Sequence, residues 1–123
     1  MELHGVHHIS LNVADVESTE RFFIDVLGLQ KLDRPDFGFP GAWLLCQDGR
    51  QVHLIEEQNW VAPKGPHFAF AVRDIDAVRG ELMDKGVKVS KISEIPGTGR
   101  QCFFKDPSGN SIELNQPMVL ALS

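Results

Sequence analysis

The chain repeats one pattern after roughly sixty residues. The segments GVHHISLNV and PHFAFAV each place a histidine at the head of an alternating run, and an aspartate follows each histidine at the same distance. When Asp15 is aligned with Asp74, His8 falls on His67. A repeat of this length indicates that the chain folds as two copies of one supersecondary unit.

Each copy predicts one strand, one helix and three further strands. The aspartate after each first strand is a helix N-cap, and Gly28 and Gly86 supply the left-handed residue that ends a helix. The predicted helices cover Val16–Leu27 and Ile75–Lys85. The strands predicted after them are Gln30–Asp33, Ala42–Cys46, Gln51–Glu56, Val87–Ile92, Gln101–Lys105 and Ser111–Asn115. The fold class is therefore α+β, with two βαβββ modules at about 5–58 and 66–117 in one domain of residues 1–123.

The predicted strands divide their residues between two unlike faces. Because successive side chains of a strand point to opposite faces, bulky apolar residues gather on one side, where they can pack on a helix. The other side carries polar or small residues, and among them are His8, His53, His67 and Glu113. Curved sheets would form a cup lined by this second face.

The four polar side chains predict a metal site. Imidazoles and a carboxylate on a surface of small residues are typical ligands of a first-row divalent ion, and three or four of them leave room for water or substrate. A single histidine on a strand is more often a surface or core residue, and His4 and His7 are interpreted in that way. The four candidates instead lie on one predicted face and form two pairs of equivalent positions in the repeat. His8 corresponds to His67, and His53 corresponds to Glu113.

Composition excludes two classes of partner. The 123 residues carry a net charge of -5 and a pI near 5.4, which argues against a nucleic-acid partner. No apolar run is long enough to span a membrane. No secretory signal is visible, and Cys46 and Cys102 are not spaced as a CxxC motif. We therefore expect a cytoplasmic protein with reduced thiols.

The motifs HHISLNVADVESTERFFIDVLGL, VHLIE, HFAFAVRDID and DPSGNSIEL resemble the vicinal oxygen chelate superfamily. That group includes glyoxalase I, fosfomycin- and bleomycin-resistance proteins, methylmalonyl-CoA epimerase and extradiol dioxygenases. The resemblance covers the whole chain and implies two βαβββ modules around a metal-binding cup. It also implies metal ligands on the first and fourth strands of each module, which here are His8, His53, His67 and Glu113.

The chain departs from glyoxalase I at one ligand position. Glyoxalase I usually has a glutamate, and the epimerase a glutamine, where this chain has His53. Glu56 lies three residues further along the same strand and should point to the opposite face. Classical glyoxalase I chemistry is therefore in doubt, and a His/His/Glu ligand set, as in the fosfomycin-resistance and extradiol members, stays open.

Several further residues are candidates for contact with a substrate. For the aromatic residues, simple core packing is an equally good interpretation. Arg100 follows a glycine-rich turn, but that turn does not lie between a strand and a helix as a phosphate-binding loop does. The candidate substrate-binding residues are Asn12, Phe37, Phe39, Trp43, Arg100, Gln101 and Phe103.

We expect a metal-dependent lyase or isomerase that acts on a small substrate through two adjacent oxygens. The ion, which is Zn, Ni, Mn or Fe, would polarise a carbonyl, and Glu113 would transfer a proton. The alternatives are an extradiol-type dioxygenase and a drug-binding or drug-modifying resistance protein.

The linker between the modules, residues 60–66, bears on how the modules pair. Its prolines resist a sharp reversal of the chain, and in small members of the superfamily the modules commonly pair between chains. We therefore predict a homodimer in which each site takes His8 and His53 from one chain and His67 and Glu113 from the other.

Overall fold

The computed structural model describes residues 1–118 of the chain. These residues fall into two compact units, Met1–Val61 and the part of Ala62–Ser123 that the structure describes. Each unit has the order strand, helix and three strands. The predicted α+β class and the βαβββ plan of both modules are confirmed.

The first unit contains four strands and one helical segment. They are β1 (His8–Val13), α1 (Val16–Arg21), which continues as a π-helical turn (Phe22–Val26), β2 (Gln30–Leu32), β3 (Gly41–Leu45) and β4 (Gln51–Glu56). The strand order is β1-β4-β3-β2, with β1 parallel to β4 and the other pairs antiparallel. The first and last strands of the unit therefore lie side by side.

The second unit repeats this arrangement. Its elements are β5 (His67–Ala71), α2 (Ile75–Asp84), β6 (Ser93–Ile95), β7 (Gly99–Lys105) and β8 (Ser111–Pro117). The strand order is β5-β8-β7-β6, and β5 is parallel to β8. The repeat seen in the sequence is thus a repeat of topology.

Both helices begin and end as their sequences predict. The Asp15 carboxylate accepts a hydrogen bond from the Ser18 backbone N–H at 3.0 Å, and Asp74 accepts one from Ala77 at 3.0 Å. Gly28 and Gly86 follow the helical segments with positive φ angles of 78° and 86°. A β-carbon is strained in that conformation, so glycine stops each helix at low cost.

Each unit buries the predicted apolar residues of its two central strands, while those of β1 and β5 are half-buried apart from Val13. Since α1 contacts β3 and β4, and α2 contacts β7 and β8, each core lies between one helix and one sheet. The buried apolar residues of the first unit are Val13, Phe23, Ala42, Leu44, Val52 and Leu54. Those of the second unit are Ile75, Leu82, Cys102, Phe104, Ile112 and Leu114.

One predicted strand is wrong. Residues 87–92 have no regular strand structure, and β6 covers Ser93–Ile95 instead. Ser90 explains the difference because its hydroxyl accepts the hydrogen bond of the Phe103 N–H at 2.9 Å, in place of a backbone carbonyl. The Ser90 carbonyl accepts a further bond from the Arg79 side chain on α2. The segment is held by these side-chain bonds and by one backbone bond, from the Ser90 N–H to the Phe103 carbonyl at 2.9 Å, and a regular backbone ladder starts only at Ser93.

Two expectations that follow from composition can be compared with the structure. Cys46 and Cys102 are both free thiols, and burial raises the pKa of each. Within residues 1–118, neither helix has the length and apolar character that a bilayer crossing requires.

Candidate metal centre

The first unit brings His8 and His53 into direct contact. The two residues lie on the adjacent parallel strands β1 and β4, where Ser10 is the register partner of His53. Their imidazole rings stack with centroids 4.1 Å apart and planes 16° from parallel. The predicted pair of histidine ligands in this unit therefore shares one face of one sheet.

The protonation of His53 suits metal binding. Its Nε2 lies 2.8 Å from the Gln51 side-chain oxygen, which can only accept, so Nε2 carries the hydrogen and Nδ1 is left with a lone pair. Burial, and then the neighbouring His8, His7 and Arg34, lower the pKa of His53. The neutral imidazole is thereby favoured, and this is the form that binds a metal ion.

His8 has an orienting partner of its own. The Nδ1 atoms of His7 and His8 are 2.9 Å apart, so one ring donates a hydrogen bond and the other accepts it. The bond occupies Nδ1 of His8 and leaves Nε2 as the atom that could reach a metal. His7, which the sequence pattern predicted to be a surface or core residue, thus contacts a candidate ligand.

The second unit pairs His67 with Glu113. His67 begins β5, Glu113 lies on the adjacent strand β8, and the distance from Nε2 to Oε1 is 3.0 Å. The Gly65 carbonyl accepts a hydrogen bond from His67 Nδ1 at 2.8 Å, and the Asn115 amide donates to Glu113 Oε2 at 2.8 Å. A hydrogen bond therefore holds each side chain at its outer atom, Nδ1 of His67 and Oε2 of Glu113, while Nε2 and Oε1 face each other.

This pair fits a metal ion. Since the Gly65 carbonyl fixes a hydrogen on Nδ1 of His67, Nε2 of the neutral ring presents a lone pair to a carboxylate oxygen. Two electron-rich atoms in that position need a shared cation, either a proton or a metal. Two ligands bonded to one ion at about 2.1 Å lie about 3–3.4 Å apart, close to the separation that is observed.

Each unit therefore supplies two of the four predicted ligands. Within the part of the chain that the structure describes, no three or more His, Cys, Asp or Glu side chains form a cluster that could hold an ion. The binding of one metal by His8, His53, His67 and Glu113 together stays a prediction. The predicted orientation of Glu56 is observed, since its carboxylate accepts a bond from the Val16 N–H at the start of α1.

The aromatic candidates of the first unit form a row that begins with Trp43 next to His53. Trp43 is the register partner of His53 and stacks on it with ring centroids 4.6 Å apart. Phe37 lies 6.0 Å from Trp43, and Phe39 lies 5.9 Å from Phe37. Asn12 is on β1, four residues after His8, and so belongs to the same face.

Two candidates of the second unit also lie on the ligand face. Phe103 pairs with Glu113 in register and meets the His67 ring edge to face, with centroids 5.3 Å apart. Gln101 pairs with Asn115 and shares that face.

Arg100 lies on the other face of β7, with the buried residues Cys102 and Phe104. Its guanidinium donates two hydrogen bonds to Asp76 of α2, at 2.7 and 3.2 Å. The same contact lowers the pKa of Asp76. The structure therefore does not bring Arg100 together with Gln101 and Phe103, because successive residues of a strand alternate between faces.

Sequence reasoning missed the side chains that orient the candidate ligands. Gln51 comes two residues before His53, and Asn115 comes two residues after Glu113, so each shares a face with the ligand that it holds. That spacing of two was a usable signal. The contact between His7 and His8 depends on ring rotation, which no spacing reveals.

The family model described as Glyoxalase/Bleomycin resistance protein/Dioxygenase superfamily matches residues 5–114. A protein of Synechocystis sp. named "Probable lactoylglutathione lyase" is 31% identical over 89% of this chain and 92% of its own length.

Two solved structures share the fold over nearly their whole length. A glyoxalase family protein from Bacillus anthracis has a TM-score of 0.84 at 25% identity and covers 95% of this chain and 98% of its own. TnmS3, an antibiotic binding protein from Streptomyces sp. CB03234, has a TM-score of 0.78 at 29% identity, with 95% and 98% covered.

Proposed function

Because the chain belongs to the glyoxalase/bleomycin resistance protein/dioxygenase superfamily, we propose that it is a metal-dependent enzyme of the lyase or isomerase type. Its substrate is a small molecule that offers two adjacent oxygens to the ion. The observation that carries the proposal is the contact between His67 and Glu113, in which each group is held from behind and the facing atoms are 3.0 Å apart.

The proposed ligands are His8, His53, His67 and Glu113. A bound divalent ion would supply Lewis acidity, which polarises a carbonyl and makes a neighbouring C–H bond more acidic. His8 offers Nε2, His53 offers Nδ1, and His67 offers Nε2, since the other ring nitrogens are already engaged. One ring nitrogen of each imidazole is thus left to face a metal ion, and for His8 this requires that its Nδ1 donates the hydrogen bond to His7.

Glu113 is the proposed proton carrier. Glu113 as a whole residue is 7% exposed, so few water molecules compete for its carboxylate. The Asn115 amide holds Oε2 and thereby fixes the rotation of the carboxylate about its own axis. In this orientation Glu113 takes a proton from one substrate carbon and returns it to the neighbouring atom.

A metal assay tests the proposal directly. Elemental analysis of the purified protein should find close to one divalent ion per site, and His67→Ala or Glu113→Gln should lower that content at least several-fold. His4→Ala, which removes an exposed histidine near the N-terminus, is the matched control and should retain the metal. Metal content that is the same in all three variants would contradict the proposal.

Activity is tested on three substrate types: methylglyoxal–thiol adducts, fosfomycin with a thiol, and catechols. Turnover of one of them should disappear after chelation and return with a divalent ion. Turnover of catechol with consumption of dioxygen would instead support the dioxygenase alternative.

The second candidate function is drug binding without turnover. The likeness to TnmS3, together with the exposed phenylalanines 37 and 39, favours this alternative. Drug affinity that survives complete removal of metal, with no turnover on any substrate tested, would support it.

We also propose a homodimer whose sites are shared between chains. Each site would take His8 and His53 from one chain and His67 and Glu113 from the other, so a dimer of His8→Ala and Glu113→Ala chains has one intact and one doubly damaged site. Refolding the two inactive variants together should therefore restore part of the activity. No recovery, or a monomer in sedimentation at micromolar concentration, would contradict shared sites.

A further inference from the structure

The loop between β2 and β3 holds two phenylalanine rings at the surface. Phe37 and Phe39 are 52% and 45% exposed, and their rings lie 23° from parallel. Scattered exposed apolar residues are common, but paired rings on an irregular segment are not placed there by core packing. Their exposure leaves ring surface available to a ligand.

Arg34 holds the two rings in place. Its guanidinium carbon lies 4.9 Å from the centroid of each ring, and Nη1 donates a hydrogen bond to the Phe39 carbonyl at 3.1 Å. Gly41 leaves space for the guanidinium, because a β-carbon there would lie 2.7 Å from the Arg34 Cζ. The loop is thus organised before any ligand binds, which reduces the entropy lost on binding.

The rings form a continuous row with the candidate ligands of the first unit. Trp43 presents one face to His53, 11° from parallel, and its other neighbour is Phe37, whose plane is tilted by 44°. His53 stacks in turn on His8. The row of rings therefore extends along the sheet from the loop to two proposed metal ligands.

We infer that Phe37, Phe39 and Trp43 bind a planar conjugated ring of the substrate. Offset stacking on aromatic rings is favourable beyond the burial of area, and a saturated ring of the same size does not gain this contribution. The inference rests on the proposed function only in placing the substrate oxygens near His53 and His8. The ring contact itself does not require a metal.

A second copy of the chain is a weaker occupant. Two half-exposed phenylalanines offer about 200 Å² in total, since an aromatic side chain buries about 150–250 Å² when fully covered. A stable protein interface buries about 1,200–2,000 Å². The row of rings suits a small flat molecule better than a protein surface.

Binding of naphthalene-2-carboxylate and of its saturated analogue decahydronaphthalene-2-carboxylate tests the inference. The two probes share charge and approximate volume, so only the aromatic one can stack. Trp60→Phe leaves Trp43 as the single tryptophan, whose indole N–H signal in NMR reports binding close to the loop. In metal-free protein, the aromatic probe should bind about tenfold more tightly than the saturated one and shift that signal.

Two variants separate stacking from simple hydrophobic contact. The double variant Phe37→Leu/Phe39→Leu keeps an apolar surface but removes the flat faces, so it should abolish most of the preference for the aromatic probe. Val61→Ala, which trims an apolar residue that is 82% exposed in the same unit, should leave the preference unchanged. Equal affinity for both probes, or a preference that survives the double leucine variant, would overturn the inference.

The preference for the aromatic probe should not depend on metal binding. Metal content of the double leucine variant should equal that of the unchanged chain, so loss of metal binding would point to damage of the site rather than of the ring contact. Normal metal binding with no preference for the aromatic probe overturns only the present inference. A double leucine variant that binds both probes normally but sediments as a smaller species would assign the rings to contact between copies.

Discussion

At the scale of single residues, Gly41 shows how closely β3 and β4 approach each other. A β-carbon at this position would lie 2.5 Å from the Leu54 carbonyl oxygen, which is backbone and cannot rotate away. Gly99 begins the equivalent strand β7 of the second unit, and a β-carbon there would collide with the Gln116 carbonyl. Both units therefore place a glycine at the start of their third strand, where the neighbouring strand leaves no space for a side chain.

We predict that Gly41→Ala lowers the free energy of unfolding by about 2–3 kcal/mol, because the added methyl group forces two strands apart. Gly80→Ala is the matched control, since Gly80 lies within α2 and a β-carbon added there would enter open space. That change should raise stability by about 0.5–1 kcal/mol through helix propensity. Urea unfolding followed by circular dichroism measures both, and equal effects of the two changes would contradict the steric argument.

Asn115 is the residue whose loss should affect metal binding without loss of a ligand. Its amide holds Glu113 Oε2, and removal of such a partner typically weakens metal affinity by about 10–100-fold. We predict that Asn115→Ala shows this loss in a competitive titration with a chromophoric chelator. Gln101→Ala, at the position opposite Asn115 on β7, should not. Unchanged affinity in Asn115→Ala would show that the carboxylate needs no orienting partner.

At the scale of elements, each helix receives a second cap from the last strand of its own unit. The Glu56 carboxylate accepts the Val16 N–H at 3.1 Å, and the Gln116 side-chain oxygen accepts the Ile75 N–H at 2.8 Å. These bonds satisfy donors that helix starts leave open. They also join the helix to the strand that carries His53 or Glu113.

Removal of either cap should destabilise its unit. We predict a loss of about 0.5–2 kcal/mol for Glu56→Ala and for Gln116→Ala, in the range of measured capping effects. Glu56→Gln keeps the acceptor oxygen and loses only the attraction of a charge to the helix start, so it should cost about 0.3–1 kcal/mol. Denaturant unfolding measures the three changes, and a larger loss for Glu56→Gln than for Glu56→Ala would contradict this interpretation.

The turn between β7 and β8 is built around a buried carboxylate. Asp106 is 5% exposed and accepts bonds from the backbone N–H groups of Ser108 and Asn110 and from the Asn110 amide. Burial nevertheless raises the pKa of Asp106 above its usual range. The folded chain therefore binds a proton here more readily than the unfolded chain does.

The raised pKa gives a pH dependence with a definite sign. The contribution of Asp106 to stability is fully present below its unfolded pKa, near 3.9, and is lost as the pH rises through the higher folded value. We predict that the difference in unfolding free energy between the unchanged chain and Asp106→Asn is larger at pH 4 than at pH 7. Urea titrations at the two pH values measure it, and a difference that grows toward pH 7 would contradict the assignment.

The elements were more predictable from sequence than the site. Period-two alternation and the capping aspartates place β1, β4, β5 and both helices within a few residues, because these signals are local. The segment 87–92 was wrongly predicted as a strand because it makes only one backbone bond to Phe103 of β7, and the return bond goes to the Ser90 hydroxyl. The bond from Arg100 to Asp76 was likewise not predicted, because its partner belongs to another element.

At the scale of the whole molecule, metal binding should raise stability. A ligand that binds only the folded chain stabilises it by about 2.7 kcal/mol at a concentration of one hundred times its Kd. We predict that a divalent ion raises the melting temperature of the unchanged chain and that Glu113→Gln removes most of this increase. Calorimetry with and without chelator measures the effect, and an equal increase in both proteins would place the binding elsewhere.

The side-by-side arrangement of the first and last strands within each unit has a consequence for inheritance. Two candidate ligands and the groups that orient them are encoded in one continuous half of the gene, with two imidazoles in one half and an imidazole and a carboxylate in the other. Recombination at the boundary near Val61 would exchange a complete half of the ligand set in a single event. Such an event could change the ligand types of the candidate site, and with them the preferred metal ion. It would avoid intermediate sequences in which only one ligand of a pair has changed.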